Sequence, residues 1–435
     1  MAPIDVTPPS GTRDLFPADV LLRRRTFAIV QRTFERHGFD PFDTPAFERL
    51  DVLTGKYGEE GEQLIFRILK RGEHAASGEA DLALRYDLTV PLARVVARYG
   101  SQLPMPFKRY QIASVWRADR PGRGRFREFT QCDIDIAGAS SLLADASVVL
   151  AVTDALAALG LDGVRVHLND RDALHGLIAA YGIAPESGDS ALTALDKLAK
   201  VGADGVAAEL RDRGIAAAAV EALHADLTGS DPTAALTERI ASDERGGAGL
   251  ARIGELLALL PAQPGLEIVH DPVLARGLGY YTGPVFEVTH PALDTTIAAG
   301  GRYDGLIGMF GDEPVPAVGG SLGLERILLI LAEQASAEAA APEGPQVMVT
   351  ILDAADGADL LALATRLRAA GIDVDVFVGD GRLGKQLRHA DRRGARYALV
   401  RGEAERVSGS VTLKELATGE QTTMGEADAI ALLRG

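Results

Sequence analysis

Residues 107–136 read FKRYQIASVWRADRPGRGRFREFTQCDIDI, and the fold turns on them. Two strand-like segments flank a loop rich in Gly, Pro and Arg, Ala118 to Gly124, which predicts a hairpin with a long tip. Side chains alternate between the faces of a strand, so residue parity separates them. In the first segment the even positions Tyr110, Ile112 and Trp116 are apolar, whereas Arg109, Gln111 and Arg117 are odd. In the second, Cys132, Ile134 and Ile136 are even, and Gln131, Asp133 and Asp135 are odd. Each strand therefore has one face suited to a core and one carrying charges and amides. Seven basic residues lie from Lys108 to Arg127 against one acid, Asp119. A polar sheet face inside so hydrophobic a chain predicts a ligand floor, and its arginines predict a polyphosphate.

The surrounding chain has 435 residues, enough for two or three domains with sizeable cores. Apolar residues make up 47% of it, yet no run approaches the ~20 residues of a membrane span. The first residues, MAPIDVTPPSGTRDLF, lack a basic-then-apolar signal. Together with a single cysteine, Cys132, this predicts a reducing cytoplasm, with the thiol packed on an apolar strand face. Eight histidines without a paired metal spacing predict no structural zinc. A net charge of −16 argues against a protein that coats nucleic acid, while leaving room for local basic patches.

In chain order, Val20 to His37 has helical spacing, and the Pro-punctuated FDPFDTPAFE, Phe39 to Glu48, reads as an edge or interface strand. Glu62–Lys70 and Asp81–Asp87 are predicted strands, Thr89–Tyr99 a helix, and Ser140–Gly160 a second helix beyond the hairpin. After a strand over Gly163–Asp170, residues 171–261 lose their aromatics and read as an inserted helical module. Strands return at Leu266–His270, Tyr280–His290 and Thr295–Ala299, followed by a Gly-rich stretch, Gly300 to Gly311, and a helix ending near Leu331. Residues 335–344, ASAEAAAPEG, read as a linker between a domain over 1–334 and another over 345–435. In the latter, strands and helices alternate, which predicts an α/β unit with a mostly parallel sheet.

Four constellations are rich in chemistry. Arg85-Tyr86-Asp87-Leu88-Thr89 places a carboxylate and a hydroxyl just before a helix, either as a ligand site or as an N-cap. The hairpin is the second. The third, RGLGYYTG over 276–283, sets an arginine and two tyrosines among glycines that permit close backbone approach. The fourth, GGSLGLER over 319–326, puts Arg326 near a helix start, where anions are favoured. Three arginines in apolar surroundings, Arg117, Arg276 and Arg326, are costly unless an anion pairs them. A further stretch, GDGRLGKQ over 379–386, matches GxxxxGK, but Gln386 stands where a P-loop needs Ser or Thr. Lys385, Arg388 and Arg392 instead form one helical stripe, suited either to a nucleic-acid backbone or to a solvated face.

The sequence resembles the class II aminoacyl-tRNA synthetases, and within them the histidine-specific family. FDPFDTPAFE is similar to the dimer-forming first motif, VWRADRPGRGRFREFTQCDIDI to the second, and AVGGSLGLERIL to the third. LARGLGYYTGPVFEV and AGGRYDGL are similar to the histidine signature, and the tail from GKQLRHADRRGARYALVRGEAE through VTLKEL resembles an anticodon-binding domain. The implied fold is α+β: a catalytic domain on an antiparallel sheet, with a helical insertion, followed by a C-terminal α/β anticodon-binding domain. The implied activity joins L-histidine to its tRNA through an adenylate made from ATP and Mg2+, in a homodimer.

Carried onto matching positions, the resemblance implies catalytic roles for Arg117, Arg276 and Arg326. Arg117 and Arg276 would meet the α-phosphate of ATP, Arg326 the adenine and γ-phosphate, with Asp119 and Arg125 also on ATP. Asp87, Thr89 and Gln131 would hold the amino-acid ammonium. Asp135, Tyr281 and Tyr303 would face the imidazole, with Tyr280 alongside. Arg120 and Arg123 at the hairpin tip, and Lys385, Arg388 and Arg392 in the tail, would contact tRNA. The insertion would clamp the acceptor arm. Two positions depart from the family: Gly279, where Asp is common, and Asp135, often Glu. A rival resemblance is to the regulatory paralogue of ATP phosphoribosyltransferase, which typically lacks the tail and erodes the arginines.

Overall fold

The computed structural model describes residues 4–434 except 123, 276–279, 312 and 338–343, with backbone alone at 58–60, 73, 75–76, 294, 335–337 and 354. The chain divides into two compact units, residues 1–333 and 334–435.

The first unit is built on eight strands. They are β1 (Asp40–Pro41), β2 (Phe107–Trp116), β3 (Glu128–Ala137), β4 (Val164–Asp170), β5 (Leu266–His270), β6 (Pro284–His290), β7 (Leu293–Arg302) and β8 (Ala317–Leu322). Their order is β1-β2-β3-β8-β7-β6-β4-β5. The outer pairs β1/β2 and β4/β5 are parallel, and every pair between them is antiparallel. The 107–136 hairpin thus lies inside the sheet, and its register sets Arg109 opposite Asp135 and Gln111 opposite Asp133.

Parity divides the two faces as the sequence suggests. Tyr110, Cys132, Ile134 and Ile136 pack with Val30 and Phe34 of helix Pro17–Arg36 and with the apolar helix Leu142–Ala158. Burying these side chains contributes to this unit's hydrophobic drive, at ~25 cal/mol per Å² of apolar surface removed from water. The opposite face is also buried, but it carries Arg109, Gln111, Asp133 and Asp135. Helix Thr89–Tyr99 and Tyr281, Val285 and Tyr303 cover part of it.

Residues 171–261 form six helices, from Arg171–Ala180 to Glu244–Leu259, with a core of their own. Asp170 joins the ends of this module. It caps the first helix through the Asp172 amide at 2.8 Å and accepts Arg252, from the last helix, at 2.7 and 3.0 Å.

Three expectations are corrected. Glu62–Lys70 is not one strand: a helix runs over Gly58–Gln63 and only Arg67–Leu69 is extended, in a small sheet with Phe47–Arg49 and Ala80–Leu84. Glu62 turns back to accept the Gly55 amide at 2.5 Å, which an extended Glu62 could not do. Secondly, the Gly-rich stretch after Ala299 begins as strand, since β7 continues to Arg302. A Cβ on Gly300 would stand 2.1 Å from the Gly319 carbonyl oxygen, so glycine is what lets β7 and β8 pair. Thirdly, the sheet of the second unit is mixed. Val374–Val376, Val347–Val349 and Tyr397–Val400 are parallel, but Ser410–Glu415 and Gln421–Gly425 add an antiparallel edge.

Candidate active site

A cavity of about 710 Å³ opens over the polar face of β2, β3, β7 and β8. One part of its wall is cationic. Arg117 leaves the end of β2, donates from Nε to the Tyr86 carbonyl at 3.0 Å, and lies over the Tyr86 and Phe129 rings at 4.3 and 5.2 Å. Arg125 returns from the hairpin loop and pairs with Asp119 at 2.8 Å. Arg326, in the first turn of helix Leu324–Ala337, donates to the Thr296 carbonyl. Arg117, Asp119, Arg125 and Arg326, separated by some two hundred residues in sequence, line this one cavity.

The other part is acidic and aromatic. Asp135 is buried, accepts a short hydrogen bond from the Tyr303 hydroxyl, and has Arg109 Nη2 at 2.7 Å. Burial raises its pKa despite that guanidinium. Tyr280 packs against Tyr281 at 5.0 Å and edge-on to Tyr303 at 5.9 Å, which makes an aromatic wall. Asp87 accepts from the Val90 amide and from the Tyr57 hydroxyl, both at 3.0 Å. It is therefore a helix cap and a cavity residue at once, its pKa raised by burial. Thr89 and Gln131 complete the lining.

The backbone makes room for this carboxylate. A Cβ on Gly319 of β8 would stand 1.9 Å from Asp135 Oδ1 and 2.9 Å from the Ile134 carbonyl oxygen. The first helical turn after β8 is anchored separately. Glu325 accepts Arg23 at 2.7 and 3.0 Å, together with Arg13, whose guanidinium lies 3.8 Å over Phe126 of the hairpin loop. The N-terminal segment thereby straps the loop: the Arg127 amide donates to the Gly11 carbonyl at 2.8 Å.

Of the expected site residues, Arg276 and Arg123, like Gly279, lie outside the described residues. Arg120 is exposed and is not part of the cavity wall. Cys132 is fully buried on the apolar face and burial pushes its thiol pKa well up, so it packs rather than reacts. In the second unit Lys385, Arg388 and Arg392 are exposed along helix Leu383–Arg392. Gln386 explains the failed P-loop match. It turns inward to hold the Ile351 amide at 2.9 Å and the Ile351 and Gly381 carbonyls at 2.7 and 2.9 Å.

Sequence reasoning assigned no role to Arg109, Tyr57, Asp133 or the Arg13–Arg23–Glu325 cluster. The parity pattern carried a signal for Arg109 and Asp133, since both share the face of residues that were chosen. The insertion was read only as a clamp on the acceptor arm, yet Asp196, at the end of its second helix, lines the cavity.

Comparison with known proteins shows the family and the fold. Residues 11–327 match the family described as histidyl-tRNA synthetase, and residues 346–435 match an anticodon binding domain. The chain is 36% identical to the histidine–tRNA ligase of Christiangramia forsetii, covering 96% of each chain. It is 38% identical to that of Cytophaga hutchinsonii, over 95% of this chain and 96% of the relative. The crystal structure of histidyl-tRNA synthetase from Nostoc sp. PCC 7120 superposes with a TM-score of 0.81 at 29% identity, covering 99% of both chains.

Proposed function

Because the chain belongs to the histidyl-tRNA synthetase family, we propose that this cavity is where it makes histidyl-adenylate and passes the histidyl group to tRNA. The activity is ATP-dependent ligation of histidine to tRNA. The observation that carries the assignment is one cavity with arginines at one part and a caged carboxylate at another.

The histidine carboxylate attacks the α-phosphorus of ATP; an acyl–phosphate bond forms and the bond to pyrophosphate breaks. Both reactants are anions, so the residues must align them and supply fixed positive charge, without any proton transfer. Arg117 meets the α-phosphate, its guanidinium already oriented by Tyr86 and Phe129. Arg125 and Arg326 hold the terminal phosphates and adenine, with Mg2+ arriving as part of the ATP substrate. Asp119 holds Arg125 in place before ATP arrives. Arg276 acts on the α-phosphate opposite Arg117, a role that rests on the matched motif.

Asp87, Thr89 and Gln131 take the ammonium. Asp135 accepts an imidazole N–H, with Tyr303 and Arg109 fixing its oxygens and Tyr280 and Tyr281 walling the ring. The shorter Asp135 suffices because Tyr303 and Arg109 hold it rigidly. Arg120 and Arg123 face the acceptor end, the insertion clamps the acceptor arm, and Lys385, Arg388 and Arg392 meet the anticodon stem-loop. We place this chain in the cytoplasm as a homodimer formed through the small sheet, where Phe47 and Leu69 are more than half exposed. The match to an anticodon domain, and the arginines kept in the cavity, favour the ligase over the regulatory reading.

Two substitutions test the division of the site. Asp135→Ala should raise the KM for histidine and spare that for ATP, whereas Arg326→Ala should do the reverse. Equal effects on both substrates would contradict the assignment.

A further inference from the structure

The polar face of the hairpin holds one carboxylate more than the roles above employ. Asp133 is 3% exposed, sits on β3 between Gln131 and Asp135, and lines the same cavity. Its carboxylate is hydrogen-bonded to Ser321 of β8, but Oδ1 has no hydrogen-bond partner among the described residues. Nor have Nε and Nη1 of Arg109, the fully buried guanidinium whose charge acts on both Asp133 and Asp135. The groups acting on Asp133 come from four segments: Arg109 from β2, Asp135 from β3, Ser321 from β8, and Asp87 ahead of helix Thr89–Tyr99, while Gln111 is its register partner on β2. Arg109 Nη2 stands 2.7 Å from Asp135, and its charge also reaches Asp133, the next carboxylate on the same face of β3, while Asp87 adds a third negative group nearby. A buried charge without full compensation is expensive, so the balance among these groups is sensitive to the charge of each.

We propose that Asp133 is a positioning residue of the histidine site, competing with Asp135 for the Arg109 guanidinium and so setting how strongly Asp135 holds the imidazole. When Asp133 is ionised, Arg109 is divided between two carboxylates, and Asp135 keeps more of its negative charge for the ligand. When Asp133 is neutral, Arg109 belongs to Asp135 alone and damps it. Burial raises the Asp133 pKa to about 7, with Arg109 opposing and Asp135 reinforcing the shift. Recognition of histidine therefore strengthens as pH rises through neutrality. The inference rests on reading Asp135 as the imidazole acceptor.

The test measures ATP–pyrophosphate exchange with the full-length protein from about pH 5.5 to 8.5, which brackets ordinary imidazole titration. Asp133→Asn keeps the shape and removes the charge. It should raise the KM for histidine about tenfold, the effect of one weakened hydrogen bond to a charged group, while the KM for ATP and kcat stay near wild type. It should also flatten the limb near neutrality in kcat/KM for histidine, leaving the limb that belongs to free histidine itself. A KM within about twofold of wild type with the limb retained would overturn the proposal. Ser321→Ala removes a hydrogen bond that favours the ionised form, so the limb should move to higher pH. An unmoved limb contradicts the proposal, and this arm decides if Asp133→Asn fails to fold. Asp135→Ala separates the two readings. If it leaves histidine recognition intact, the assignment of Asp135 falls and this inference with it. If it abolishes recognition while Asp133→Asn changes nothing, only the inference falls.

Discussion

Gly319→Ala probes the site through its floor rather than through a ligand contact. The added methyl would begin 1.9 Å from Asp135 Oδ1, 2.7 Å from its Cγ and 2.9 Å from the Ile134 carbonyl oxygen. Unbonded heavy atoms prefer roughly 3.5–4.0 Å, so at least one neighbour must move by more than an ångström. The Ile134 carbonyl belongs to β3, paired to β8 through Ile134–Gly320 and Asp135–Gly319, and cannot yield without disturbing the sheet. Asp135 is left to swing, giving up Tyr303 and Arg109. Overpacking of this kind costs about 1–3 kcal/mol of stability. Displacing a carboxylate that makes a charged hydrogen bond costs a further ~1.5–3 kcal/mol in ligand binding, or roughly 10- to 100-fold in affinity. Exchange kinetics should show that rise in the KM for histidine with a nearly unchanged KM for ATP, alongside a lower melting temperature. A variant with the wild-type KM for histidine would refute the placement of Asp135 against the strand and its role in the site.

Other perturbations reach other parts of the molecule. Arg117→Ala should lower the exchange rate by about 10²-fold, the usual effect of losing one preorganised donor, with the folded state retained; near-normal exchange would remove Arg117 from the chemistry. Glu325→Ala leaves the partly exposed Arg13 and Arg23 without their shared partner and should destabilise by about 1–3 kcal/mol in chemical denaturation. Burial alone would raise the Glu325 pKa, but the Arg23 hydrogen bonds and the charges of Arg23 and Arg13 carry it below the ordinary 4.5. Its folded-state pKa is depressed, so its contribution is present above pH 4.5 and lost as pH falls through the folded value. The acid limb of wild-type stability should shrink in the variant. Reversing charge at Lys385, Arg388 and Arg392 together should raise the KM for tRNA and leave adenylate formation unchanged, and an unaltered KM for tRNA would show that this stripe is only a solvated face.

The sequence made the floor of the site legible because its signal is local. Parity along ten residues is enough to place Arg117, Gln131, Asp133 and Asp135 on one face, and the register then sets Arg109 against Asp135. What stayed hidden depends on partners far away in the chain. Nothing near Glu325 announces Arg13 or Arg23, and the Tyr57 hydroxyl on Asp87 comes from a segment for which no element was predicted. Glycine misled for a related reason. The predicted strand stopped at Ala299, short of Gly300 and Gly301, because glycine weakens isolated strands, but here it relieves a clash with the neighbouring strand. The antiparallel edge of the second unit was missed because Ser410–Glu415 and Gln421–Gly425 follow a strand–helix alternation and carry only a short polar turn between them.

If the cavity is the site of activation, it forms histidyl-adenylate from histidine and ATP. ATP–pyrophosphate exchange measured with each standard amino acid in turn tests it most directly. Exchange should depend on histidine alone; no exchange with histidine, or equal exchange with another amino acid, would contradict this.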